Sequence, residues 1–395
     1  MHIYLDHNAT TPVDPAVLEA MLPFLLDDFA NASSVHSPGQ RARAAVDEAR
    51  ESVAALIGAK PSEIVFTSGG TEADNLAILG AIKASNAPNK HIITTLIEHH
   101  AVLQTCQSLE KEGVAVTYVA PNASGVISPA SLRRALRPET VLISMMHANN
   151  ELGTIQPVDE IGRIAREAGV PFHVDAVQSA SKLPIDVRKI GADLLSLSAH
   201  KFYGPKGVGA LYVRSGSHIE PVFRGGQHER GLRPGTENVP GIVAMGKAAE
   251  LARQYLADDA SRIVALRDRF ESALCETIRG IRVNGDRAQR VCNTTNVTVP
   301  GASGESLVIA LDLQGIACST GAACSSGAIE PSHVLLAIGL NDEDARSSIR
   351  FSLGRTTTAL EIERAIAMIP PVVERLRALS PRYSPMTPVA AGRAS

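Results

Sequence analysis

The sequence predicts an α/β fold, a mostly parallel seven-stranded sheet flanked by helices, with a smaller α+β unit attached. Two observations carry this prediction. Short β-type runs near 64–67, 91–95, 115–119, 141–145, 171–174, 193–197 and 209–213 alternate with helical segments, the pattern of a parallel sheet covered by helices on both faces. Several of these runs end in a glycine or a polar residue, at the strand ends where an open α/β sheet collects its ligands. At 395 residues the chain is long enough for two units and a large core.

Residues 40–57 form an amphipathic pattern, and Gly58 follows as a helix stop. The run Ile64-Val65-Phe66-Thr67 leads into Ser68-Gly69-Gly70-Thr71-Glu72-Ala73-Asp74-Asn75, after which Leu76, Ile78, Leu79 and Ile82 recur at helical spacing. Thr71 and Asp74 there resemble a capping box. Val170 to Asp175 and Ala192 to Leu197 are short apolar strands, and Gly207 to Val213 is a third. From Gly241 to about Arg279 the chain is helix-rich and bridges to the smaller unit. In that unit Asn293–Val299 and Ser347–Leu353 read as strands, and 304–313, 332–339 and 358–377 as helices. The predicted organisation is a large unit over 14–260, a small unit over 1–13 and 261–380, and a disordered tail over 381–395.

Three strand ends carry chemistry. Lys201 lies in Ser198-Ala199-His200-Lys201-Phe202-Tyr203-Gly204-Pro205. An isolated lysine at a turn is usually a surface residue. At a strand end in an apolar setting, however, desolvation destabilises its ammonium form and makes it a candidate Schiff-base nucleophile, with Ser198 and His200 as anion-binding neighbours. The glycine turn at 69–70 lets backbone approach a ligand, and the following helix start offers N–H groups to an anion. Neither G-x-G-x-x-G nor G-x-x-x-x-G-K-[ST] is present, which disfavours a dinucleotide or P-loop site. Asp175 ends a strand and reads either as a helix N-cap or as a carboxylate that holds a pyridine nitrogen protonated. Phosphate turn, aspartate and lysine in that order match a fold-type I pyridoxal phosphate enzyme.

A fourth stretch, Gly315 to Gly327, consists almost wholly of small residues and reads as a mobile loop, with Cys324 as an accessible, reactive thiol. Cys106, Cys275 and Cys292 sit among apolar residues and read as core, and Cys318 as packed at a strand end. Five cysteines without C-x-x-C spacing argue against a disulfide framework or a zinc site, so no metal is expected. A net charge of −3 leaves no basic footprint for nucleic acid.

Over nearly its whole length the chain resembles the cysteine desulfurases of the NifS/IscS branch, a long-loop group within the class-V aminotransferases. The resemblance rests on Tyr4-Leu5-Asp6-His7-Asn8-Ala9-Thr10-Thr11-Pro12, Thr67-Ser68-Gly69-Gly70-Thr71-Glu72, Glu98-His99, Asn149-Asn150-Glu151-Leu152-Gly153, His173 to Gln178 and Ser198 to Lys201. It extends through Arg224-Gly225-Gly226, Glu229-Arg230-Gly231, Arg233 to Asn238, Ala323-Cys324-Ser325-Ser326-Gly327, Glu330-Pro331-Ser332 and Ile349 to Leu353. Ala30, where the family usually has glycine, is a departure with no expected loss of chemistry.

The resemblance implies pyridoxal 5'-phosphate as cofactor. It gives Lys201 as the residue that carries the cofactor, Cys324 as the sulfur-accepting nucleophile and His99 as ring-stacking proton-transfer partner. Asp175 and Gln178 contact the ring, and Gly70, Thr71, Ser198 and His200 hold the phosphate. Thr236 joins them from a second subunit of a homodimer. Asn150 and Arg350 hold the substrate carboxylate. The implied reaction converts L-cysteine to L-alanine and an enzyme persulfide, passed to an iron–sulfur scaffold protein or a thiolation enzyme. Another pyridoxal phosphate activity, a scaffold without chemistry and a nicotinamide dehydrogenase are the competing readings; Cys324 and the missing glycine fingerprint weigh against them. No membrane or direct nucleic-acid partner is expected. The short lead before Tyr4 and the apolar stretches too short to span a bilayer point to the cytoplasm.

Overall fold

The computed structural model describes residues 2–320 and 330–379. Within them the strands are Ile3–Tyr4 (β1), Ile64–Thr67 (β2), His91–Thr95 (β3), Ala115–Val119 (β4), Thr140–Met146 (β5), Phe172–Asp175 (β6), Leu194–Ser198 (β7), Gly209–Val213 (β8), Arg282–Asn284 (β9), Thr294–Thr298 (β10), Ile316–Ala317 (β11) and Ser348–Ser352 (β12). The large sheet has the order β2-β8-β7-β6-β5-β3-β4. Its strands are parallel except β8, which runs against both neighbours. The reversal follows from length: a parallel crossover needs roughly a dozen residues or more, and the link from β7 to β8 is shorter. Every residue of β6 and β7 is buried, as expected of strands covered on both faces.

A second sheet, β12-β10-β9, is antiparallel. The 39-residue helix Val239–Thr277 connects the two sheets. Its core residues through Ala252 join the cluster around the large sheet, and from Ile263 onward they join the cluster around the small one. Val334, Leu335, Ile338 and Ala345 return to the large cluster, so the later part of the chain is interlocked with the earlier. β1 pairs in parallel with β11, and Asp6 bridges to Ser352 of β12, which ties the first residues to the smaller sheet. No helix among the described residues is long and apolar enough to cross a membrane.

Helix ends largely follow local chemistry. Gly58, just past the helix Ser37–Leu56, takes the left-handed conformation (φ 69°) that suits glycine. Two expectations need correction. The helix Gly70–Ala84 is capped by Gly69 without a side-chain bond; Thr71 lies inside its first turn and Asp74 is buried one turn on, so no capping box forms. Its leading N–H groups are left for another partner. Cys275 is exposed: it faces outward while the adjacent Leu274 takes the core position. Cys106 and Cys292 are buried.

One buried ion pair braces the segment 228–231 against the large sheet. Arg50 reaches both carboxylate oxygens of Glu229 at 2.7 Å, and Phe66 N–H donates to the same group at 2.8 Å. Glu229 sits at φ 46°, a costly conformation for a non-glycine residue. Removing one member of a buried pair leaves an uncompensated charge, at a cost of about 3–5 kcal/mol. Glu229→Ala is therefore expected to lower the thermal unfolding midpoint by several degrees, as read by calorimetry, whereas removal of the exposed Glu167, paired to Arg133, should change it little.

Candidate active site

The carboxyl ends of β5, β6 and β7, the start of the helix Gly70–Ala84, the N-terminal segment and β12 enclose a cavity of about 460 Å³. Of the residues singled out in the sequence, Gly70, Thr71, His99, Asn150, Asp175, Gln178, Ser198, His200, Lys201 and Arg350 all line it. Thr236 does not; it is exposed elsewhere on the chain. Cys324 lies outside the described residues. Ser319, shortly before it, lines the cavity.

Lys201 ends the turn Ala199–Lys201 directly after β7. Its ammonium donates to the main-chain oxygens of Asn8 (2.6 Å) and Ala9 (2.8 Å). Burial lowers its pKa to about 8, helped by the Arg350 charge and opposed by Asp6 and Asp175. Asp175 ends the neighbouring strand, in register with Ser196 of β7, and accepts from Val177 N–H at 2.9 Å. Burial raises its pKa to about 6, against the pull of that N–H and of Lys201. Asp74 stands near it, raised well above the carboxylate range by burial and by the Asp175 charge.

His99 precedes the helix His100–Lys111 and caps it, with Nδ1 accepting from Ala101 N–H at 3.1 Å. That bond fixes the neutral tautomer and leaves Nε2–H as the other polar group. Burial and the Lys201 charge lower its pKa to about 4. The residue is nonetheless exposed toward the cavity it lines.

Close backbone approach shapes the end of the cavity near Gly70 and Ser198. A Cβ on Gly209 would lie 2.7 Å from Gly69 Cα and 2.6 Å from Leu197 O, and one on Gly70 would lie 2.8 Å from Val177 Cγ2. Glycine is required by space at both positions. Ser198 ends β7 and is buried, and His200 Nδ1 meets Thr10 Oγ1 at 3.2 Å.

At the opposite side Arg350, on β12, donates to Asn150 O (2.9 Å) and Asp6 Oδ1 (2.7 Å). Its Nε is buried without a hydrogen-bond partner. Cys318 is buried, and burial pushes its thiol up to about 12, which suppresses the reactive thiolate. Residues the sequence reasoning left without a site role, Asn8, Ala9, Asp74, Met146, Ala148 and Val177, also line the cavity. Asn8 carried a signal, since it sits in the N-terminal motif, but nothing local placed it beside Lys201.

The family model for aminotransferase class-V matches residues 3–365. A cysteine desulfurase IscS from Dictyoglomus turgidum is 49% identical over 379 residues, covering 96% of each chain. The chain belongs to the cysteine desulfurases of the class-V aminotransferase family. Among solved structures, a NifS-like protein matches with a TM-score of 0.90 and 38% identity, over 95% of this chain and 100% of its own. SspA in complex with cysteine matches with a TM-score of 0.79 and 43% identity, over 90% and 99%. The α/β architecture is thus that of the NifS-like desulfurases.

The depressed Lys201 pKa has a measurable sign. A lowered value means the free amine accumulates at lower pH than for an ordinary lysine, reaching about one part in ten at pH 7. Pulse acylation of the cofactor-free protein followed by peptide mass spectrometry is expected to show Lys201 reactivity rising to a plateau with a midpoint near pH 8; a midpoint above 10 would contradict the desolvated environment.

Proposed function

We propose that this cavity binds pyridoxal 5'-phosphate on Lys201 and that the enzyme removes sulfur from L-cysteine, giving L-alanine and a persulfide on Cys324. The observation that carries the cofactor assignment is the convergence of Lys201, Asp175, Gln178 and a helix start with uncapped N–H groups on one cavity. These residues fit the group. The helix start suits a phosphate dianion, and Gly70, Thr71, Ser198 and His200 would surround it. The buried Asp175 carboxylate would pair with the ring nitrogen, Gln178 with the ring hydroxyl oxygen, and His99 would stack on the ring face. When bound, the cofactor supplies an electron sink for the pair released at the substrate Cα.

The chain's own residues do the rest. Arg350, held by Asn150 and Asp6, would orient the substrate carboxylate through its planar guanidinium fork. Lys201, with a pKa lowered to about 8, would move the Cα proton near neutral pH. Neutral His99 would assist proton transfer at the substrate thiol. Cys324 thiolate would attack the substrate sulfur: one S–S bond forms, the C–S bond breaks, its electron pair stays on carbon, and a proton completes the methyl group of alanine. The reaction balances without an external oxidant or reductant.

The homodimer belongs to the same reading. Thr236 is exposed and away from its own chain's cavity, which supports a role in a second subunit's phosphate site. The persulfide would pass to a protein acceptor, an iron–sulfur scaffold or a thiolation enzyme, in the cytoplasm. The IscS name of the relatives supports the first.

Three variants and one mass measurement test the reading. Lys201→Ala should keep its fold yet lose turnover and the borohydride-reducible cofactor adduct; an adduct at full occupancy would overturn the assignment. Cys324→Ser should still bind cofactor and L-cysteine while alanine production falls by orders of magnitude, as for a group that acts only at the chemical step. Cys318→Ser should be nearly neutral. Mass spectrometry after brief L-cysteine treatment should find the added sulfur on Cys324; finding it on Cys318 would sink the nucleophile assignment.

A further inference from the structure

Lys182 does not line the cavity, yet it is bonded to two residues that do. Its ammonium donates to Gln178 Oε1 at 2.8 Å and to Asn8 Oδ1 at 3.0 Å. The preceding Ser181 adopts φ 70°, a left-handed conformation that serine rarely takes without support from its surroundings. Strain of that kind, beside a lysine tucked behind a cavity, is an observation in search of a function.

The hydrogen-bond logic supplies one. A lysine ammonium only donates, so the oxygen of the Gln178 amide must face Lys182, whichever way the amide would otherwise turn. The Gln178 nitrogen then faces the opposite way, and one of its hydrogens goes to Asn8 O at 2.9 Å. A single N–H remains, on a buried side chain that lines the cavity. The same logic fixes Asn8, whose Oδ1 accepts from Lys182 and from Asn293 and whose main-chain oxygen accepts from Lys201. Resting on the function proposed above, we infer that Lys182 is a positioning residue for the desulfurase: it locks the Gln178 amide so that a donor, never the acceptor oxygen, is presented to the cofactor.

Half-buried Lys182 is placed by its two hydrogen bonds and not by an opposing carboxylate, and either its ammonium or its amine form has the hydrogens that these bonds need. The charged and titratable groups that act on Lys182 are Lys201, Arg350 and the thiol of Cys292, and burial lowers its pKa to about 7. It keeps its place through the two acceptors it bonds. Without it, Gln178 Oε1 would be left unsatisfied behind the cavity, and the amide would gain by turning its oxygen toward other donors.

The test is a double-mutant cycle on cofactor binding, read without turnover. Apo-protein is titrated with pyridoxal 5'-phosphate, and dissociation constants are compared for wild type, Lys182→Met, Gln178→Ala and the double variant. Loss of one well-placed donor is expected to weaken binding roughly fivefold to tenfold in Lys182→Met, and the added effect in the Gln178→Ala background should shrink to under about twofold, because the lysine acts through the glutamine. Lys182→Arg, which keeps a donor-only cation, should recover most of the affinity. Lys182→Ala, leaving room for a water between Asn8 and Gln178, provides the same comparison if the methionine variant does not fold. Unchanged affinity in Lys182→Met and Lys182→Ala, or an equal loss in the presence and absence of Gln178, overturns the inference. A wild-type protein that neither binds the cofactor nor makes alanine overturns the underlying reading instead.

Discussion

The site depends on one asparagine near the start of the chain. Asn8 N–H donates to Ser352 Oγ, and its Nδ2 donates to Thr294 Oγ1 and to Asn150 O. Its Oδ1 accepts from Asn293 and Lys182, and its main-chain oxygen accepts from Gln178 and Lys201. Seven hydrogen bonds therefore meet on one buried residue, from the large sheet's strand ends on one side and the small sheet on the other. An unsatisfied buried polar group costs about 1–3 kcal/mol, so few alternative placements of this segment are tolerable. That is how Lys201, just past a strand of the large sheet, and Arg350, on the small sheet, come to share one cavity in fixed relation.

Two titratable groups behind the cavity run against stability. Glu98 is fully buried, and burial raises its pKa to about 8 against the help of Thr95 and Met146 N–H. A raised folded-state value means that this group's contribution is complete below the ordinary carboxylate pKa and is lost as pH rises toward 8. Lys182, lowered to about 7, has the opposite slope: the folded state loses its proton first, so stability is regained as pH rises from 7 toward the ordinary lysine value. Near neutrality both groups hold the native state below what their unperturbed forms would give. Such perturbation clusters where reactive groups are kept in a low-dielectric space. An anionic ligand between Lys201, Arg350 and the helix start would relieve part of it.

Much of this was legible in sequence because buried parallel strands write themselves as short apolar runs. The seven runs through residue 213 mark the large sheet to within a residue or two, and the polar residues at their ends, Asp175, Ser198 and Lys201, mark the cavity. What stayed hidden has physical reasons. The reversal of β8 depends on loop length and not on composition. The two-residue β1–β11 pair is too short to leave a periodicity. Thr71 and Asp74 have capping-box spacing, but the helix start is occupied with leaving N–H groups free, and Asp74 is drawn inward beside Asp175. Cys275 sits in an apolar run that turns one face to solvent. Lys182 and Asn8 meet only in three dimensions, since 174 positions separate them.

Register explains why adjacent strands suffice to place Asp175 and Lys201 on one cavity. Asp175 and Ser196 are paired across β6 and β7, so the carboxylate lies at the level of the strand end from which the chain runs through Ser198 to Lys201. The tight turn Ala199–Lys201 then carries the amine back over the same edge, where Asn8 and Ala9 receive it. A slip of one residue in β6 would turn Asp175 into the opposite face, and the shared placement of its carboxylate and the Lys201 amine on one cavity would be lost. The continuous burial of both strands makes either face acceptable to the core, so apolar content alone does not hold that register. It is held by the polar residues threaded through it: His173, bonded to Ser144 and Ser196 on the flanking strands at 2.9 Å each, pins three strands at one level. The buried histidine, kept neutral by desolvation with its pKa lowered to about 3, is thus what aligns the carboxylate with the lysine's strand.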